Sequence, residues 1–310
     1  MKFDLAYSPV LRFIGILYVF LNAPLSMYGQ HQNRITATLD QETKIIEIQQ
    51  EFTYVNESED TLKELFFNDW ANSYSDKTTA LAKRFSDEFR KSLHLAKDSE
   101  RGSTDILAIS DEDYRNVSWE HLPGKDIVRF TLNTPLAPGG EAKFFLTYTV
   151  KLPPNKFTPY GYGEDGSYYL KDWYLTPAVY DSVWNLYSNK NLEDLYTGIT
   201  DTDINFIFPD SLHLGTNYVD LSLTSFPGNQ YANLKGVGRK SCDVILNAAK
   251  PFKKHVTSSL FIVTDIQSQK YSEILQGISI ERISSFIHNN LGDFPYTQLL
   301  VSEIDFNKNP

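Results

Sequence analysis

Thr43–Val55 reads TKIIEIQQEFTYV, with Ile46, Ile48, Phe52 and Tyr54 in one phase and Glu47, Gln49, Glu51 and Thr53 in the other. A period of two sends alternate side chains to opposite faces of a pleated strand, so this stretch predicts a strand with one dry and one wet face. Working outward, Asp40-Gln41-Glu42 links it to Ile35–Leu39 as a hairpin. Downstream, Phe144, Leu146, Tyr148, Val150 and Leu152 form another inward set, opposite Phe145, Thr147, Thr149 and Lys151. Pro153-Pro154 ends that strand, because proline has no N–H for the ladder. Val128, Phe130 and Leu132 alternate with Arg129 and Thr131 ahead of the turn cluster Pro135–Gly140. Ile204–Phe208, Val219–Leu223, Asp243–Leu246 and Leu260–Val263 read as further strands. Many short strands separated by turn signals predict a mainly β chain built as an antiparallel sandwich.

Two helices are predicted. Leu81, Phe85, Phe89 and Leu93 recur at four-residue steps behind Asp76, a residue able to cap, and make one apolar stripe packed on the sandwich. Ile278, Ile280, Ile283, Phe286, Ile287 and Leu291 make a second helix face, with Ser279 as a cap and Gly292 as the stop. Leu299–Ile304 then reads as a buried strand. A helix feeding a strand opens a new α+β layer, which the residues up to Pro310 are too few to cover. The expected plan is a leader at 1–29, a sandwich domain at 30–265 and the incomplete start of a second domain at 266–310, the front part of a longer protein.

The leader is read from Lys2 and Arg12 beside the uncharged run Phe13–Leu21 (FIGILYVFL). The run is well short of the ~20 residues of a membrane span and suits the ~7–15-residue core of a secretory signal peptide. Export is therefore expected, to the periplasm or the extracellular or outer surface of a Gram-negative bacterium, with no membrane span. The 310 residues carry 39 Asp and Glu against 29 Lys and Arg, a net charge of −10. That balance argues against a nucleic-acid partner. A single cysteine, Cys242, excludes an intrachain disulfide framework and a cysteine-rich zinc site.

No catalytic constellation stands out. His31, His94, His121, His213, His255 and His288 include no pair at the spacing of H-E-x-x-H, and there is no G-x-S-x-G. Asp201–Leu212 starts like a calcium loop but has Phe206 and Leu212 where glycine and glutamate are needed. Gly161–Gly166 lacks the Lys-Ser/Thr and the helix of a phosphate cradle. Asn56-Glu57-Ser58 and Asn116-Val117-Ser118 fit the glycosylation pattern. The rings from Tyr160 to Tyr196 are dense enough to stack on a sugar or clamp an extended peptide, or else to fill a broad packing seam.

Several of these segments, in order, resemble the aminopeptidase N family of zinc metallopeptidases, and specifically the N-terminal part of divergent Bacteroidetes-type members. They are Leu136-Ala137-Pro138-Gly139-Gly140 with its following strand, Tyr168-Tyr169-Leu170, Trp184-Asn185-Leu186-Tyr187, and Thr202–Pro209 with Leu214-Gly215-Thr216-Asn217 after it. Ile283–Ile287 and Leu291-Gly292-Asp293-Phe294-Pro295-Tyr296 complete the series, alongside the wording of Asn68–Tyr74 and Tyr187–Leu192. The resemblance covers Ile35 to the end. It implies a saddle-like N-terminal β-sandwich followed by the start of a thermolysin-like catalytic domain. It further implies that the saddle domain forms one wall of a peptide cleft, that the zinc belongs to the complete parent, and that the partners are the parent's peptide substrate and the missing C-terminal catalytic domain. The segment matching the family's substrate-amine anchor reads Asp172-Trp173-Tyr174-Leu175-Thr176-Pro177, with no glutamine or glutamate. Asp172, Trp173 and Tyr174 are the substrate-binding residues this implies. With no H-E-x-x-H in the chain, no catalytic residue, metal ligand or cofactor is assigned to it, and it is expected to be inactive alone. The alternative reading is a secreted β-sandwich binding module that uses the aromatic cluster as a platform for carbohydrate or extended peptide.

Overall fold

The computed structural model describes residues 31–191, 196–267 and 270–304. The predicted leader lies outside them. In chain order the strands are β1 (His31–Asp40), β2 (Ile45–Val55), β3 (Leu62–Asn68), β4 (Ser103–Asp111), β5 (Ser118–His121), β6 (Ile127–Leu136) and β7 (Glu141–Lys151). Short strands β8 (Gly161–Tyr162), β9 (Tyr168–Leu170), β10 (Thr176–Pro177), β11 (Val179–Asp181) and β12 (Val183–Asn185) follow. Then come β13 (Thr200–Pro209), β14 (His213–Thr216), β15 (Asp220–Phe226), β16 (Asn229–Arg239), β17 (Val244–Asn247), β18 (Lys253–Val256), β19 (Phe261–Thr264) and β20 (Gln298–Val301). The helices are α1 (Ala80–Asp87) and α2 (Glu273–Leu291). The mainly β reading of the sequence is what the structure shows.

A seven-stranded sheet ordered β15-β16-β13-β1-β2-β7-β4 is the frame. Its dry face is the one the alternation marks: Ile46, Ile48, Phe52 and Tyr54 of β2 and Phe144, Leu146, Tyr148 and Val150 of β7 are all buried. Against it packs the sheet β10-β3-β6-β5. The seam is a file of rings running Phe52, Phe67, Phe130 and Phe144, with successive centroids 5.3, 4.5 and 5.9 Å apart. A third sheet, β14-β17-β9-β8, adds Tyr168, Leu170, Val244 and Leu246 to the same continuous core. The Gly161–Gly166 stretch is the turn of the β8–β9 hairpin in this sheet, with Asp165 accepting from the Ser167 N–H at 3.0 Å.

Four local expectations are corrected. The sheet is not wholly antiparallel, because β1 pairs in parallel with β13, whose partner residues lie far along the chain. The first helix is capped by Thr79, whose hydroxyl accepts from Ala82 N–H at 3.3 Å, while Asp76 instead pairs with Lys125 at 2.6 Å. That helix ends at Asp87, and Phe89 leaves the stripe at φ 60 with 90% of its surface exposed, so only Leu81, Phe85 and Leu93 are buried. The second helix begins two turns earlier than predicted, with Ser272 rather than Ser279 as its cap. Ser279 faces back along the helix and bonds the Leu275 carbonyl at 2.9 Å. No helix of the described residues is long and apolar enough to cross a membrane.

Candidate functional site

The Asp172–Pro177 segment is held from below by polar side chains that stand inside the dry face. Asn33, Gln50 and Tyr148 share the inward phase with Ile35, Ile48 and Leu146, and all three are buried. The Gln50 amide donates to Asn33 Oδ1 at 2.9 Å and to the Leu175 carbonyl at 2.8 Å. The Tyr148 hydroxyl donates to Gln50 Oε1 at 2.7 Å and accepts from the Leu175 N–H at 3.0 Å. Each group is satisfied by a partner, which a buried polar network requires. Burial pushes the Tyr148 phenol up, so it remains a donor. Three strands of the rigid frame thus fix one backbone position of the loop, at Leu175. Sequence reading missed this device, although its signal was present: a polar residue in phase with an apolar face is the mark of a buried hydrogen-bonding role.

The three residues implied as substrate contacts separate in the structure. Trp173 and Tyr174 are buried. The Trp173 ring packs against Phe206 and Tyr174 at 5.5 and 5.2 Å, and its N–H donates to the Cys242 carbonyl at 3.2 Å. Asp172 is half-buried and sits at φ 51, a left-handed position that aspartate tolerates better than most residues. The loop therefore presents Asp172 while its two rings serve as the plug that anchors it.

A second cluster joins the two phrases Asn68–Tyr74 and Tyr187–Asn191. The Trp70 indole donates to the Tyr187 carbonyl at 2.8 Å. Buried Asp126 accepts from Ser73, from Ser188 and from the Asn189 N–H, and burial raises its pKa. Buried Asp69 accepts from Thr104 at 2.6 Å and lies 2.9 Å from His121 Nε2. Both carboxylates are fully used in holding backbone and side chains in place, so the cluster is a clasp between loops. Among the described residues no three His, Cys, Asp or Glu side chains converge as a metal site, and no zinc-dependent step is assigned to them. Cys242 is buried, which pushes its thiol up and keeps it unreactive. Burial also lowers His31 to about 4, and its Nδ1 accepts from the Val55 N–H at 3.1 Å.

Half of the ten rings in the aromatic cluster are core, and two, Tyr187 and Tyr196, are exposed. Tyr160, Tyr168, Tyr169, Trp173 and Tyr174 are buried, and a buried ring has no face to offer a sugar. Of the two sequons, Asn56 is buried with its amide donating to the Asp60, Leu136 and Ala137 carbonyls, so its nitrogen is not open to modification in the folded chain.

The last layer is built differently. Strands β18-β19-β20 form a three-stranded sheet in which β19 and β20 run parallel, with α2 as their crossover. Between helix and sheet lies a mainly apolar trough of about 830 Å³, lined by Ile262, Ile280, Ile283, Ile287, Phe294 and Leu299. Ile283, Phe286 and Leu291 are 61, 66 and 81% exposed.

No protein-family model matches the chain, and no curated protein matches it. Among solved structures it is similar to an M1 zinc metallopeptidase from Deinococcus radiodurans, at 12% identity and a TM-score of 0.49 over 88% of this chain and 55% of that one. It is also similar to an aminopeptidase N family protein from Idiomarina loihiensis, at 9% identity and a TM-score of 0.44 over 87% of this chain and 38% of the other. The chain spans about half the length of the Deinococcus protein.

Proposed function

We propose that this chain is the N-terminal, non-catalytic part of an exported zinc metallopeptidase resembling aminopeptidase N. In this reading residues 31–265 are a rigid sandwich that presents one wall of a peptide cleft, with Asp172 at its surface and Trp173 and Tyr174 anchoring the loop beneath it. Residues 266–304 begin the catalytic domain, whose zinc ligands belong to the rest of the parent. The chain by itself contributes binding and docking rather than hydrolysis, because zinc hydrolysis needs ligands and a general base that its sequence lacks. The observation that carries the proposal is the α2 layer. A helix and two parallel strands enclose a trough of about 830 Å³ whose apolar lining is left open, as a layer does when a further layer covers it. The order of the family-like motifs along the sequence supports it independently.

The decisive experiment reads the coding DNA beyond codon 310 and probes host extracts with antibody against residues 31–264. An in-frame H-E-x-x-H, and an immunoreactive zinc-dependent peptidase larger than the 35.5 kDa of this chain, are expected. A species no larger than 35.5 kDa alone, with no such motif downstream, overturns the proposal.

A further inference from the structure

The wet face of the seven-stranded sheet carries a row of neutral polar side chains aligned by the ladders. Asn233 pairs with Asn205, Asn205 with Thr36, Thr36 with Gln49 and Gln49 with Thr147, across β16, β13, β1, β2 and β7. With neighbouring strands about 4.8 Å apart, the row is roughly 19 Å long. The adjacent row runs Lys235, Asp203, Arg34, Glu51 and Phe145 in the same registers. Its charges are paired with one another: Lys235 with Asp203 at 3.4 Å and Arg34 with Glu51 at 3.3 Å, Glu51 also meeting Lys143 at 2.6 Å. A depression of about 400 Å³ opens over the middle of both rows.

Beside this trough, on Phe145 of its lining, stands a held aromatic ring. Tyr114 lies flat on Phe145, with centroids 5.3 Å apart and planes within 6°, and is 78% exposed. It sits at φ 60 in the β4–β5 loop, where Asp111 accepts from the Asp113 and Arg115 N–H groups and pairs with the Arg115 guanidinium. The loop therefore keeps one flat face of Tyr114 turned to solvent above the Phe145 end of the charged row, two residues along β7 from Thr147 at the end of the neutral row. At the β16 end of the neutral row Asn233 donates to Asn205 at 2.8 Å and to Asp203 at 2.7 Å, which fixes the amides.

We propose that this face binds a neutral, linear oligosaccharide laid across the strands. Amides and hydroxyls both donate and accept, which matches the hydroxyls of a sugar. The strand spacing is close to the length of one pyranose unit, and the free face of Tyr114 suits the C–H face of a terminal ring. Paired charges give an ionic ligand little to gain, and an extended peptide is read at a sheet edge rather than on its face. The site goes beyond the proposed peptidase role and does not depend on it; the rings between Tyr160 and Tyr196 take no part.

Titration calorimetry on the purified chain tests this with cellohexaose, xylohexaose, chitohexaose and maltohexaose as probes and hexagalacturonate as the charged comparison. At least one neutral hexaose should bind, and both Tyr114→Ala and Gln49→Ala should weaken it about tenfold or more without lowering Tm. Phe89→Ala, an exposed ring on the α1 loop, should leave it unchanged. No heat with any neutral probe at about 1 mM, binding undiminished in both variants, or a preference for hexagalacturonate would each overturn the proposal.

Discussion

Strands β2 and β7 and helix α2 draw on the same apolar residue types, yet Phe52 and Phe144 are buried while Phe286 and Leu291 are mostly exposed. The difference lies in what faces them. Phe52 and Phe144 each meet a ring of the opposing sheet, Phe67 and Phe130, and those two rings stack on one another. The helix packs on the narrow β18-β19-β20 sheet, and among the described residues one of its nineteen, Ser284, is buried. Burial stabilises in proportion to apolar area taken from water, so identical side chains contribute very differently in the two places.

The contrast breaks most sharply at Phe130. It is fully buried and stacks on Phe67 at 4.5 Å. Phe130→Ala should cost about 3–5 kcal/mol through lost transfer energy and the cavity left behind, read as a fall in the urea midpoint. A loss under about 1 kcal/mol would mean the two sheets can close over the gap.

A smaller effect sharpens the picture inside the sandwich. Tyr148→Phe removes the hydroxyl that links Gln50 Oε1 to the Leu175 N–H. Leaving those two buried groups unpaired should cost about 1–3 kcal/mol. Amide exchange at Leu175 should accelerate more than exchange in β6, and equal acceleration would show that the network does not position the loop.

The smallest effect is expected in the last layer. Phe286→Ser should change stability by about 0.5 kcal/mol or less, because the ring is already in water. Amides of α2 should also exchange before those of Phe144–Val150, as segments with few buried contacts open at low free energy. Equal protection of the two segments would mean that α2 is covered after all.

The strand faces were legible because period-two alternation is a local property: the inward sets of β2 and β7 come out as read, residue for residue. Helix ends were less so. Thr79 outcompetes Asp76 as a cap, and Phe89 is carried out of an apparently continuous stripe by a left-handed residue, both decided by how the flanking loops close. The candidate site was legible only in part. The Asp172–Tyr174 segment was found by resemblance, but its support on Asn33, Gln50 and Tyr148 was passed over as three polar residues on apolar faces.

Composition, charge and alternation alone therefore determined a mainly β, acidic chain with one cysteine and a separate helix-and-strand layer at the end, since these follow from nearest neighbours along the chain. Tertiary structure alone decided that β1 joins β13 in parallel, that Trp173 and Tyr174 are core while Tyr114 is surface, and that neutral and charged side chains line up in two rows across five strands. The physical reason is that strand partner and register are set by contacts between residues distant in sequence, and a ring or an amide has the same local signature whether its neighbour is another strand or water.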